Sequence, residues 1–167
     1  FDPAVYGQLQ RSLERLPEVE KAALSAYSPY ENSTWNTDYW LLGSNIELES
    51  NVMAVSDGFF DTMGVRVLEG RAFNASDDGA ARQPVLINRR FAEAAFPGRS
   101  AIGQRFSDGE PGSKERKELE VVGVYEAFRN QGEFMAPTNF VLHRFAPPAD
   151  KQRMRTLLLR VKPGTPR

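Results

Sequence analysis

The sequence holds no cysteine and a single histidine, His143. The first absence excludes disulfides, thiolate catalysis and cysteine-based metal sites. It is compatible with an oxidising compartment, where a stray thiol is a liability. The second excludes histidine-rich metal centres and leaves one base for any Ser-His-Asp arrangement. No apolar run extends beyond a few residues, far short of a membrane-spanning helix. No signal-peptide pattern opens the chain, because Phe1 leads into a polar, helix-like stretch. Any contact with a membrane is therefore expected through segments outside this chain. An excess of charge is missing too: 21 Lys and Arg stand against 22 Asp and Glu. Without a basic field to attract phosphates, nucleic acid is not an expected partner.

What is present is a globular composition. Of 167 residues, 41% are apolar and 26% charged, which suits one domain or two small lobes around a core. Asp2-Pro3 reads as a helix start, and Val5, Leu9, Leu13 and Leu16 recur at helical spacing as one apolar face. Pro17 stops this helix, and residues 18–27 follow as a strand. Residues 28–36 are rich in turn formers and read as a loop. Short strands are expected at Tyr39–Leu42, Asn51–Val55, 84–87, Leu119–Tyr125, Phe140–Leu142 and Thr156–Val161. Asp57 is expected to cap a short helix carrying Phe59, Phe60 and Met63, with Gly64 ending it. Asn88 is expected to cap a helix with Phe91, Ala92, Ala95 and Phe96 toward the core. Residues 107–117 read as a polar hairpin tip. The fold class is α+β.

Val55-Ser56-Asp57-Gly58-Phe59-Phe60 is followed by Met63-Gly64 and Leu68-Glu69-Gly70-Arg71-Ala72-Phe73. Pro84-Val85-Leu86-Ile87-Asn88, Phe96-Pro97-Gly98, Ile102-Gly103-Gln104-Arg105-Phe106 and Val121-Val122-Gly123-Val124 come next, in that order. This ordered set resembles the MacB-like periplasmic core domain of FtsX-like ABC-transporter permeases. Leu16-Pro17-Glu18-Val19-Glu20 is similar to the family's opening run, with Glu18 in place of its usual glycine. The resemblance implies an extracytoplasmic insert between the first two transmembrane helices of a bacterial inner-membrane permease, with ATP hydrolysed by a separate cytoplasmic ATPase subunit. It implies a dimeric parent and two lobes. Residues 1–27 and 154–167 would form a partial βαβ-type porter lobe, and residues 28–153 an inserted mixed α/β, sabre-like lobe. The family usually has a strand before the first helix and a helix plus strand after Thr156–Val161. Neither is found here, so a sheet edge is expected to be exposed or paired with a second copy.

The glycines and aromatics of these motifs have a structural explanation. Gly58, Gly64, Gly70, Gly98 and Gly103 suit turns that need positive φ, and Phe59, Phe60, Phe73, Phe91, Phe96 and Phe106 suit a core. Asp57 and Asp61 stand four apart and read as a cap plus a first-turn acid rather than an acid/base pair. Asp77-Asp78-Gly79 lacks the further ligands of a calcium loop, and Gly109–Lys114 lacks P-loop spacing. No catalytic residue, metal or cofactor is expected. The candidate contact residues are Tyr30, Trp35, Tyr39 and Trp40 around one loop and Phe134 and Met135 in another, because exposed aromatics mark contact sites. A periplasmic adaptor or a cargo molecule is the expected partner there. The leading expectation is a module that couples transmembrane-helix motion to a substrate or partner. A ligand-binding or sensor domain is the alternative, and a hydrolase using His143 is a third.

Overall fold

The computed structural model describes residues 4–30, 34–127, 136–146 and 153–165. Its centre is built from two short runs. Gln83–Asn88 carries Val85, Leu86 and Ile87 in succession and forms β5, buried on both faces. At its end the Asn88 side chain accepts a hydrogen bond from Phe91 N at 3.0 Å and starts α3 (Arg89–Ala95). The Asn88 cap is therefore as expected. Lys117–Tyr125 forms β7, parallel to β5.

The remaining elements, in chain order, are α1 (Ala4–Glu14), β1 (Val19–Ser25), β2 (Trp35–Leu41), β3 (Glu47–Val55), α2 (Phe59–Met63), β4 (Val67–Gly70), β6 (Arg105–Asp108), β8 (Phe140–Arg144) and β9 (Thr156–Val161). A 3₁₀ turn spans Ala75–Asp77. Strands lie in the order β2-β6-β7-β5-β8-β3-β1-β9, and β2 also pairs with β3. That extra pairing closes β2, β6, β7, β5, β8 and β3 into a six-stranded ring. β1 leaves the ring through Ser25↔Val55 and pairs with β9 along its length.

Alternation then produces two cores. Tyr39, Val85, Ile87, Phe106, Leu119, Val121 and Val141 point into the ring, where Phe91, Ala95 and Phe96 of the α3 region join them. Leu86, Leu142, Phe140, Met53 and Val55 point outward and meet Phe59, Phe60, Ala23, Leu24 and Phe145 in a second cluster. The register of β7 shifts: Val121 faces Val85, but Gly123 faces Leu86, which leaves Val122 as a bulge. Val124 is thereby returned to the inner core, so both faces of the Val121–Val124 run are apolar. Gly123 sits where the β4 edge comes close, and a Cβ there would lie 2.7 Å from Leu86 Cδ2 and closer still to Arg71 O.

Several expectations need correction. Of the expected stripe Val5, Leu9, Leu13 and Leu16, only Leu13 is half-buried; Val5 is 49%, Leu9 42% and Leu16 46% exposed. The inner side of α1 instead carries Tyr6 and Gln10. Spacing alone revealed an apolar stripe but not which neighbour it would meet. β2 begins at Trp35, so the turn-rich loop is shorter than residues 28–36. Asp57 does not cap α2; Gly58 holds that position, with no side-chain cap, and at φ −76° rather than positive φ. The Gly64 cap is left-handed as expected, and the motif phenylalanines are all buried. On β9, Leu157, Leu159 and Val161 form an exposed apolar row on the last strand of the sheet.

Candidate functional site

The four candidate contact residues that are described, Tyr30, Trp35, Tyr39 and Trp40, do not form one surface. Tyr39 is corrected outright, being fully buried. Strand alternation turns its ring into the barrel, 5.1 Å from Phe106 and 5.9 Å from Phe91, edge-on to both. Trp40, one residue on, therefore points to the other face and is partly buried. Phe134 and Met135 lie outside the described residues. Tyr30 and Trp35 remain exposed, at 69% and 40%. The Trp35 ring lies 5.6 Å from Tyr27, whose hydroxyl donates to Val52 O at 2.9 Å, and the Arg155 guanidinium stands 5.8 Å from its centroid. Burial pushes the Tyr27 phenol up to about 12, so it stays a neutral donor. Trp35 is thus anchored on one side and open on the other, which is the environment of an aromatic contact residue.

His143 stands on the inner side of β8, opposite Val85. Gln83 Nε2 donates to Nδ1 at 3.0 Å, which places the proton on Nε2, and Nε2–H donates to Tyr39 Oη at 2.9 Å. Burial, with a contribution from the nearby Lys117 charge, lowers its pKa to about 4. The imidazole is neutral, and both its nitrogens are engaged by neutral partners. Neither is directed at a serine, a threonine or a carboxylate, which is the arrangement a hydrolytic base requires.

The ionic groups gather elsewhere. Arg144 is 8% exposed and grips Asp57 through two bonds of 2.7 and 2.9 Å, with a third to Asp78 at 2.5 Å. These bonds hold its guanidinium firmly in the charged form. Arg71 pairs with Asp77 through two further bonds, which keeps that carboxyl below the ordinary carboxylate range. Asp77 also accepts from Asn74 N, while Asn74 Oδ1 accepts from Ser76 N, so the acidic turn is a capping box. The Arg144 clamp was not legible in the sequence: Asp57, Asp78 and Arg144 are far apart along the chain and meet only through the β3–β8 pairing. Among the described residues no group of three or more acidic or histidine side chains is arranged to hold a metal ion. No described helix is long and apolar enough to cross a membrane. An open groove of about 900 Å³ along α3 balances Arg89 and Arg99 against Glu69 and Glu93.

Comparison with known proteins places this architecture. The chain matches the MacB-like periplasmic core domain over residues 2–167. It is 32% identical over 114 residues to "Macrolide export ATP-binding/permease protein MacB 1/2" of Paracoccus denitrificans, covering 66% of this chain but 16% of that protein. The periplasmic region of MacB from Actinobacillus actinomycetemcomitans superposes with a TM-score of 0.65 at 11% identity, over 94% of this chain and 64% of that one. The extracellular domain of the noncanonic ABC-type transporter YknZ from Gram-positive bacteria gives 0.63 at 14% identity, over 94% and 73%. A domain of a putative permease from Porphyromonas gingivalis gives 0.61 at 18% identity, over 99% and 68%. Three independently solved domains therefore share the fold, and the family match extends along nearly the whole chain: it belongs to the MacB-like periplasmic core domain family.

Proposed function

We propose that this chain is the extracytoplasmic, non-catalytic part of an ABC-transporter permease, and that it couples motion of the membrane helices to a substrate or partner protein outside the membrane. The parent permease works with a cytoplasmic ATPase and functions as a dimer, and a periplasmic adaptor or the cargo itself meets this domain. The observation that carries the reading is the match to a transporter periplasmic domain over residues 2–167. The chemistry agrees with it: the candidate base His143 is neutral and engaged on both nitrogens, and the carboxylates of Asp57 and Asp77 are occupied by arginines. Within the domain, residues 1–27 and 154–167 act as a porter-like lobe and residues 28–153 as a sabre-like lobe. Exposed Tyr30 and Trp35 are the contact residues, with Trp40 on the other face of β2.

The test is transport by the full-length permease carrying Trp35→Ala and Trp40→Ala, alone and together. Trp35→Ala is expected to impair transport while the domain keeps its unfolding midpoint within a few degrees, as a partly exposed side chain should. Full transport in both variants would remove these residues from the contact. The groove along α3 favours a second reading, ligand sensing, which a calorimetric screen of small molecules would reveal by a tight hit lost in Arg99→Ala.

A further inference from the structure

The three α-helices among the described residues are attached in different ways. α2 buries Phe59, Phe60 and Thr62, and α3 buries Phe91 and Ala95, whereas none of the eleven residues of α1 is buried. Polar bonds to the backbone of other segments hold α1. Gln10 Nε2 donates to Ala22 O at 2.9 Å, and Ala22 N donates to Glu14 Oε1 at 3.3 Å. β1 pairs with β9 on one side, Ala22 opposite Leu159, but meets β3 on the other side only at Ser25↔Val55, so the side of Ala22 turned away from β9 faces no strand and two helix side chains stand in for one. Tyr6 Oη donates to Met154 O and accepts from Met154 N, both at 2.9 Å, and its ring meets Phe145 edge-on at 5.5 Å. Val5 and Leu9, the side chains that ordinarily fasten an amphipathic helix, point to solvent.

Each of these bonds exchanges readily for bonds to water, so its net contribution is small, whereas the phenylalanines of α2 and α3 have no such substitute. Elements with little buried apolar surface open first, and they supply the moving parts of proteins. We propose that α1 is a releasable arm: it undocks from β1 as a unit, freeing Ala22 N–H and C=O, while the six-stranded ring stays folded. Resting on the coupling reading above for its use, this release is the step that loosens the β1–β9 pair from the helix when the membrane segments move.

Native-state hydrogen exchange on the 167-residue chain tests the arm without any transport assay. Amides of residues 8–14 and of Ala22 are expected to exchange together, at least about a hundredfold faster than those of Val85, Ile87 and Val141. Gln10→Ala with Glu14→Ala should accelerate the first group by roughly ten- to thirtyfold and leave the second unchanged. Tyr6→Phe, which keeps the ring and removes only the hydroxyl, should act in the same direction. Equal protection of α1 and β5 overturns the proposal, as does a double variant that speeds both groups alike. In the full-length permease, the double variant should change the transport obtained per ATP hydrolysed. Unchanged transport alongside faster exchange retains the arm and overturns its use in coupling.

Discussion

His143 offers a direct test of the ring interior. Its imidazole lies between Tyr39 and Gln83, with a pKa lowered to about 4 in the folded chain against 6.5 in the unfolded one. Above pH 6.5 both states hold a neutral ring, and the histidine adds no pH dependence. As pH falls below 6.5 the unfolded chain takes up a proton that the folded chain refuses until about pH 4. Stability attributable to this group is therefore present above 6.5, falls through the interval, and levels off below 4. A depression of this size corresponds to about 3 kcal/mol at most, and to nearer 2 because the ring keeps some solvent contact. The perturbation is His143→Gln, which keeps a neutral polar side chain of similar reach. The assay is urea unfolding from pH 8 to pH 4 for both proteins. Carboxylates contribute equally to both curves, so the difference between them isolates the histidine. The variant should be less stable than the parent at pH 8, and the gap should narrow by about 2 kcal/mol toward pH 4. Parallel curves would refute the buried, neutral histidine, and so would a gap that widens with acid.

Asn88→Ala removes the acceptor of Phe91 N and Phe140 N and the donor to Thr138 O in a buried setting. A loss of about 2–4 kcal/mol in chemical denaturation is expected. Asn88→Asp should recover part of it by keeping the acceptor. Arg144→Met should cost about 1–3 kcal/mol, toward the low end for a buried pair because Asp57 and Asp78 can turn to water. Asp57→Asn in the Arg144→Met background should then cost almost nothing more, a non-additivity that a double-mutant cycle reads.

Much of the ring was visible in advance, for local reasons. The apolar run of β5, the Asn88 cap, the Gly64 stop and the burial of the motif phenylalanines each depend on neighbours within a few residues. The errors share a cause. Tyr39 and Trp35 look alike in sequence, and only pairing with β3 and β6 turns one into the core and leaves the other outside. Asp57 is a reasonable cap by position, yet Arg144 of β8 claims its carboxylate across the fold.

The sequence by itself determined the family, the absence of thiol and multi-histidine chemistry, and the positions of turns and core aromatics. Those properties reside in residue identity, backbone freedom and short-range hydrogen bonding. The tertiary structure alone decided the closing of the ring, the bulge at Val122, the partners of His143, the Arg144 clamp and the outward-facing Val5 and Leu9 of α1. Each of these depends on which distant strand lies alongside. An apolar or charged side chain specifies what kind of surroundings it needs, but the fold chooses the partner.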